Sequence, residues 1–154
     1  MKTIQKRWLP LFLLATVTFL FPACEGNNPE EDLEGVITIK MRNDNNGRTV
    51  VYLTHGDFYI TKADNFSEYS HGYSYYTDFC DMGVKKLSAL KTIPTLGYAD
   101  QVAVIPNHSY VIRAKHLSNG NIYYYKLHVV DYITSTSSGI IGAEVQYCEW
   151  NPEQ

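Results

Sequence analysis

From Gly35 onward, apolar side chains recur at every second position. In VITIKMR (36–42), Ile37, Ile39 and Met41 fall on one side and Thr38, Lys40 and Arg42 on the other. A period of two belongs to a strand, whose successive side chains point to opposite faces; a helical stripe would repeat at three and four. YVIRAKH (110–116) places Tyr110, Ile112 and Ala114 together, and IYYYKLHVVDYI (122–133) aligns Tyr123, Tyr125, Leu127 and Val129. IIGAEVQY (140–147) turns Ile141, Ala143, Val145 and Tyr147 inward and Glu144 and Gln146 outward. TVVYL (49–53), FYIT (58–61), FCDM (79–82) and QVAVI (101–105) bring the total to about eight short strands. Asn46-Gly47, His55-Gly56-Asp57, PNHS (106–109), Asn119-Gly120 and TSTSSG (134–139) supply the turns. Such spacing predicts an all-β antiparallel sandwich or small barrel over residues 35–150. Residues 64–78 read as a long connection or an edge strand. VKKLSALKTI (84–93) reads either as one short helix stopped by Pro94 or as a loop with apolar anchors.

The start of the chain has another character. Lys2, Lys6 and Arg7 precede a largely apolar run of thirteen residues, Leu9 to Phe21, closed by Pro22, Ala23 and Cys24. A basic start, a short apolar run and a small residue at the exit describe a secretory signal over residues 1–23. The run is too short for a spanning helix, which needs about 20 apolar residues. FPAC resembles the lipobox of bacterial lipoproteins, although Pro22 departs from the strict form. The resemblance implies cleavage before Cys24, a diacylglyceryl group on its thiol and fatty-acyl chains such as palmitate holding the protein to a membrane. Residues 24–34 then form an acidic, flexible tether: EGNNPEEDLE carries five acidic residues and too few apolar ones to order itself. Such acidic stretches also resemble surface-export signals, with a plain spacer as the alternative.

The 154 residues suit one domain. Removal of residues 1–23 leaves ten Lys+Arg against sixteen Asp+Glu, a net charge of −6. No basic footprint for nucleic acid is present, and attraction to anionic phospholipid is equally unsuited. Attachment therefore rests on acyl chains.

FCDMGVKKLSALKTIP, QVAVIP, SYVIR, YYYKLHVVDYI and SGIIGAEVQY, in this order after a lipoprotein signal, resemble small secreted Bacteroidota lipoproteins classed as a domain of unknown function. The likeness covers roughly residues 79–147 and rests on structural apolar patterns. It implies an extracytoplasmic β-domain and brings no catalytic residues.

Little in the pattern points to chemistry. Cys80 and Cys148 remain after processing, in a compartment where a disulfide persists. A bridge would close a loop of about 69 residues, worth roughly 4 kcal/mol on the chain-entropy model; two separate thiols are equally compatible with the sequence. Asp78 and Asp81 flank Cys80 and should raise its pKa, which weakens it as a nucleophile. Five histidines (55, 71, 108, 116 and 128) show no metal-ligand spacing, and no metal or cofactor is expected. No GxSxG elbow is present.

Tyrosine is the conspicuous residue, with thirteen in the chain. Tyr123 to Tyr125 suit a strand. Tyr69, Tyr73, Tyr75 and Tyr76 lie in EYSHGYSYY, a Ser/Gly-rich setting used by adaptable binding surfaces. These observations lead to the expectation of a lipid-anchored cell-envelope protein, at the outer membrane and without catalysis. It would bind a glycan or an envelope protein through the 66–79 segment. A small hydrolase using Asp78, Asp81 and a histidine, and a structural envelope subunit, are the competing expectations.

Overall fold

The computed structural model describes residues 33–44, 47–62, 64–69 and 74–151. The signal expected at 1–23, Cys24, most of the tether expected at 24–34, Asn46, His71 and Tyr73 lie outside the described residues. Ten strands follow one another: β1 (Ile37–Asp44), β2 (Gly47–Arg48), β3 (Val50–Tyr52), β4 (Asp57–Ile60), β5 (Asn65–Glu68), β6 (Tyr75–Val84), β7 (Gln101–Ala103), β8 (His108–His116), β9 (Ile122–Ser135) and β10 (Gly139–Trp150). They form an antiparallel sandwich. One sheet has the order β2-β1-β10-β9-β8-β6 and the other β3-β4-β5-β7.

The alternation in the sequence is the alternation of the fold. Phe79, Ile112 and Tyr125 stand in one row across the large sheet; Tyr110, Leu127 and Tyr147 stand in the next. These side chains meet Val51, Phe58, Ile60 and Phe66 from the small sheet in a single core. Phe58 packs edge-on against both Phe66 and Phe79, at 5.9 and 6.0 Å between ring centroids. Edge-to-face contacts of this kind favour the aromatic quadrupoles and add to the burial itself.

At one side the chain leading into β7 pairs with the edge of the large sheet. Phe79 and Ala99 exchange two 2.9 Å hydrogen bonds, which partly cover the edge of β6. Glu68 accepts the backbone N–H of Thr77 on that edge at 3.3 Å, and burial holds its carboxyl pKa above the ordinary value. A charged side chain turned onto an open strand edge guards it against pairing with another chain.

Three open readings narrow. Of the expected sandwich or small barrel the arrangement is the sandwich, with ten strands where about eight were counted. The segment 84–93 is a loop with apolar anchors: only Leu87–Ala89 make a 3-10 turn, while Leu87 and Leu90 are buried. They cover the outer face of the large sheet together with Cys80, Val111, Tyr98, Tyr124 and Trp150. The large sheet is thus apolar on both faces near β6 and β8. The third concerns the cysteines. Cys80, Val111, Lys126 and Cys148 occupy one row across four neighbouring strands. Three strand spacings separate the two cysteines, roughly 14 Å at about 4.8 Å each, against the ~7 Å limit for bridged Cα atoms. The Cys80–Cys148 bridge is therefore not formed, although both residues are buried.

Register along β10 depends on Gly142, which sits at a bulge opposite Arg42 with φ of +153°. A Cβ at this position would lie 1.9 Å from the Met41 carbonyl oxygen. Only glycine lets β1 approach β10 this closely.

Candidate functional site

The four short strands of the small sheet bury one face and present the other. Val51, Phe58, Ile60 and Phe66 point inward, so their neighbours in sequence point outward. Register brings Val50, Tyr59, Ser67 and Gln101 into one outward row, and Tyr52 into the next row opposite Asp57. Tyr69 extends this second row, with its N–H donating to the Asp57 carbonyl at 3.1 Å. Tyr59 and Tyr69 meet edge to face at 5.9 Å.

Arg48 completes the group. It lies on β2, where the chain passes from the large sheet into β3. Its guanidinium carbon stands 4.4 Å from the Tyr59 ring centroid and 5.0 Å from that of Tyr69. A cation over two ring faces is held by their quadrupoles, at roughly 0.5–2 kcal/mol per contact. Tyr52, by contrast, is 65% exposed. The outer face therefore carries an open tyrosine ring at one end and a ring-mounted arginine at the other, with Asp57 and the exposed Gln101 as polar groups on the same face, while Ser67 between them is buried.

Beside Tyr52 the two sheets part. A cleft of about 230 Å³ opens between the end of β3 and the large sheet, lined by Ile37, Tyr52, Leu53, Tyr125, Tyr147 and Glu149 among others.

The four tyrosines singled out by sequence do not form one patch. Tyr69 belongs to the face just described. Tyr75 points to the core side of β6, opposite His116, and Tyr76 to the other side, opposite Lys115. Tyr75 is enclosed by rings. Its hydroxyl lies 2.9 Å from His55 Nδ1, and the His116 ring meets it edge-on at 4.9 Å. His55 in turn stacks on Tyr123 at 3.5 Å. Tyr76 donates its hydroxyl to Asp100, a bond that pushes its pKa up to about 12. Tyr73 lies outside the described residues. Conversely, sequence reading passed over Tyr52, Tyr59 and Arg48. The signal for two of them was present: Tyr59 alternates with buried Phe58 and Ile60, and Tyr52 with Val51.

The groups named for hydrolysis are engaged elsewhere. Asp78 is buried and accepts from Arg113 Nε at 2.9 Å, with the Tyr98 ring 4.0 Å from that guanidinium carbon. Asp81 pairs with His108 Nδ1 at 3.0 Å and accepts the Gly83 N–H at 2.7 Å. Ser109 Oγ lies 2.9 Å from His128 Nδ1, but it is fully buried and donates its proton to the Lys85 carbonyl. Burial first, then Asp81 and Asp78, raises the Cys80 thiol pKa. Among the described residues no group of three or more His, Cys, Asp or Glu gathers as a metal site, and no helix is long and apolar enough to cross a membrane.

Residues 38–154 match the family model described as Domain of unknown function (DUF5036). The chain belongs to the DUF5036 family. No curated protein and no solved structure matches it. The matched region takes in nearly all of β1 and the nine strands after it, and so includes the tyrosine–arginine face. This DUF5036 domain presents exposed Tyr52 and Arg48 and half-buried Tyr59 and Tyr69 on that face. Its described histidines, His55, His108, His116 and His128, are drawn instead into ring contacts and side-chain hydrogen bonds.

Proposed function

We propose that this DUF5036 domain is a non-catalytic binding module that takes a glycan on the outer face of the small sheet. The observation that carries the reading is the placement of Tyr52, Tyr59, Tyr69 and Arg48 on one face of a rigid sheet. A flat array on strands suits an extended ligand. Tyrosine brings a broad apolar ring and a polar tip at low conformational cost, and sugar rings present both C–H faces and hydroxyls. Asp57 and Gln101 would serve those hydroxyls.

The same reading places the module in the cell envelope, as an outer-membrane lipoprotein of Bacteroidota type held by acyl chains on Cys24. Its support is the FPAC box after a thirteen-residue apolar run, together with the acidic balance of the processed chain. Each buried methylene contributes about 0.8 kcal/mol, and two or more chains give stable attachment.

Calorimetric titration or affinity electrophoresis against a panel of envelope and plant-type oligosaccharides tests the binding reading. Tyr52→Ala and Tyr69→Ala should abolish retardation while the melting temperature of the Tyr52 variant stays within about 2 °C, as expected for a residue this exposed. Retardation that survives both substitutions rejects the face. Capture of an envelope protein through the same residues, with no saccharide retarded, would replace the glycan by a protein partner. For the anchor, Cys24→Ala should move the protein from the membrane fraction to the soluble one; persistence in the membrane rejects it.

A further inference from the structure

We infer that the saccharide taken by this face is acidic, with Arg48 reading a carboxylate or sulfate on it; the inference rests on the binding reading above. The described residues include three arginines, and two of them are committed to carboxylates. Arg42 pairs with Asp44, and Arg113 with Asp78. Arg48 is placed differently. It is solvent-exposed, and its contacts are the rings of Tyr59 and Tyr69. No ion pair joins it to a carboxylate of the described residues, Asp57 on the same face included.

Tyr59 and Tyr69 stand at 81° to each other, so the planar guanidinium can lie flat on only one of them, and N–H groups at its edge stay available to another partner. Those donors match the two oxygens of a carboxylate or sulfate in a bidentate bond. The two tyrosines thus act as a mount. They take up the freedom of a long side chain in advance, which lowers the entropy lost when an anion docks. Such a mount has no function in a purely neutral sugar site, where an asparagine or glutamine would serve the hydroxyls equally well. In a processed chain of net charge −6, an arginine kept off nearby carboxylates is also the feature that would attract an anion.

Distance sets the ligand length. Tyr52 and Tyr69 lie two strand spacings apart across Asp57, roughly 10 Å at about 4.8 Å each, and the Arg48 guanidinium stands over the Tyr69 ring. A short oligosaccharide can therefore stack one ring on Tyr52 while an acidic ring reaches Arg48. Asp57, between Tyr52 and Tyr69, would accept a hydroxyl proton of the bound sugar.

The test uses an oligogalacturonate, its methyl ester and a heparin-derived oligosaccharide, titrated into the processed chain. The ester keeps the sugar ring and erases the charge. A charge-assisted bidentate bond is worth about ten- to a hundredfold in affinity, so the acid should bind at least about tenfold more tightly than the ester. R48M, which retains the aliphatic stem over the rings, should erase the difference. R48K keeps the charge, loses the fork and should fall between. Preference for heparin fragments over the uronate, lost in R48M, identifies sulfate as the anion and supports the inference. Equal affinity for acid and ester overturns the acidic assignment and leaves saccharide binding intact. Binding of none of the three ligands overturns both readings. Equal binding of poly-glutamate, unaffected by Tyr52→Ala, would show generic charge attraction and overturn the inference.

Discussion

Replacement of Tyr110 by phenylalanine tests whether the small sheet is held to β8 by a hydroxyl or only by its ring. Tyr110 is fully buried, and its ring meets Phe66 edge-on at 5.2 Å. Its hydroxyl donates to the Ala103 carbonyl at 2.7 Å and accepts the Ile105 N–H at 3.0 Å. Both bonds fasten the chain leaving β7. Phenylalanine keeps the ring and removes both. A net hydrogen bond is worth roughly 0.5–1.5 kcal/mol, and a buried orphan costs up to about 3 kcal/mol. Ala103 is exposed enough for its carbonyl to reach water, and Ile105 is half-buried. The expected loss is therefore about 2 kcal/mol, or about 8 °C in Tm for a domain of this size. Two controls calibrate it. Tyr132→Phe removes one bond, from its hydroxyl to the Val104 carbonyl at 2.6 Å, and should cost about 1 kcal/mol. Tyr147→Phe removes no hydrogen bond within the described residues and should cost a few tenths at most. Urea denaturation followed by circular dichroism, with m-values unchanged, measures all three. Equal losses across the series, or a smaller loss for Tyr110→Phe than for Tyr132→Phe, would refute the reasoning.

Three further outcomes are expected. Gly142→Ala should destabilise by about 3 kcal/mol or more, because its Cβ meets the Met41 carbonyl; Gly83→Ala, with φ of +72° and open space, should cost only about 1 kcal/mol. Comparable losses for both, read from urea midpoints, would show that β1 yields easily. Burial raises the phenol pKa of Tyr110 and lifts that of Tyr125 to about 12. Their unfolded pKa is about 10, so their contribution is intact below pH ~10. It then falls by about 1.4 kcal/mol per pH unit for each group as the unfolded chain ionises, levelling near pH 12 for Tyr125. Urea midpoints that stay flat from pH 9 to about 12 would contradict this. Cys80 and Cys148 should both react with a thiol reagent after unfolding without reductant, and Cys80 slowly in the native protein because burial raises its pKa. An unfolded mass two hydrogens short, with no thiol to label, would restore the bridge.

Much of the sandwich was legible because one face of each strand is dry. Ala114, Leu127 and Val145 alternate with polar neighbours and enter the core, as do Ile112, Val129 and Ala143, although Val111 beside Ile112 is buried on the other face. The loop at 84–93 was ambiguous for a physical reason: Leu87 and Leu90 have helical spacing, yet their partners lie on another strand's outer face. The candidate site was half legible. Parity alone separates Tyr75 from Tyr76, since adjacent strand residues point apart. Tyr69 was chosen for its composition and lies on the face, but its neighbours Tyr59 and Arg48 come from distant positions.

Strand positions, inward residues and the basic, apolar and cysteine-ended pattern of the first 24 residues were set by local order along the chain, because a period of two and a run of apolar residues are properties of consecutive positions. Sheet order belonged to the tertiary structure. Pairing joins residues far apart in the chain, and nothing in an alternating pattern states which strand comes to lie beside which. That order put two intervening strands between Cys80 and Cys148, and it gathered Arg48, Tyr52, Tyr59 and Tyr69 onto one open surface.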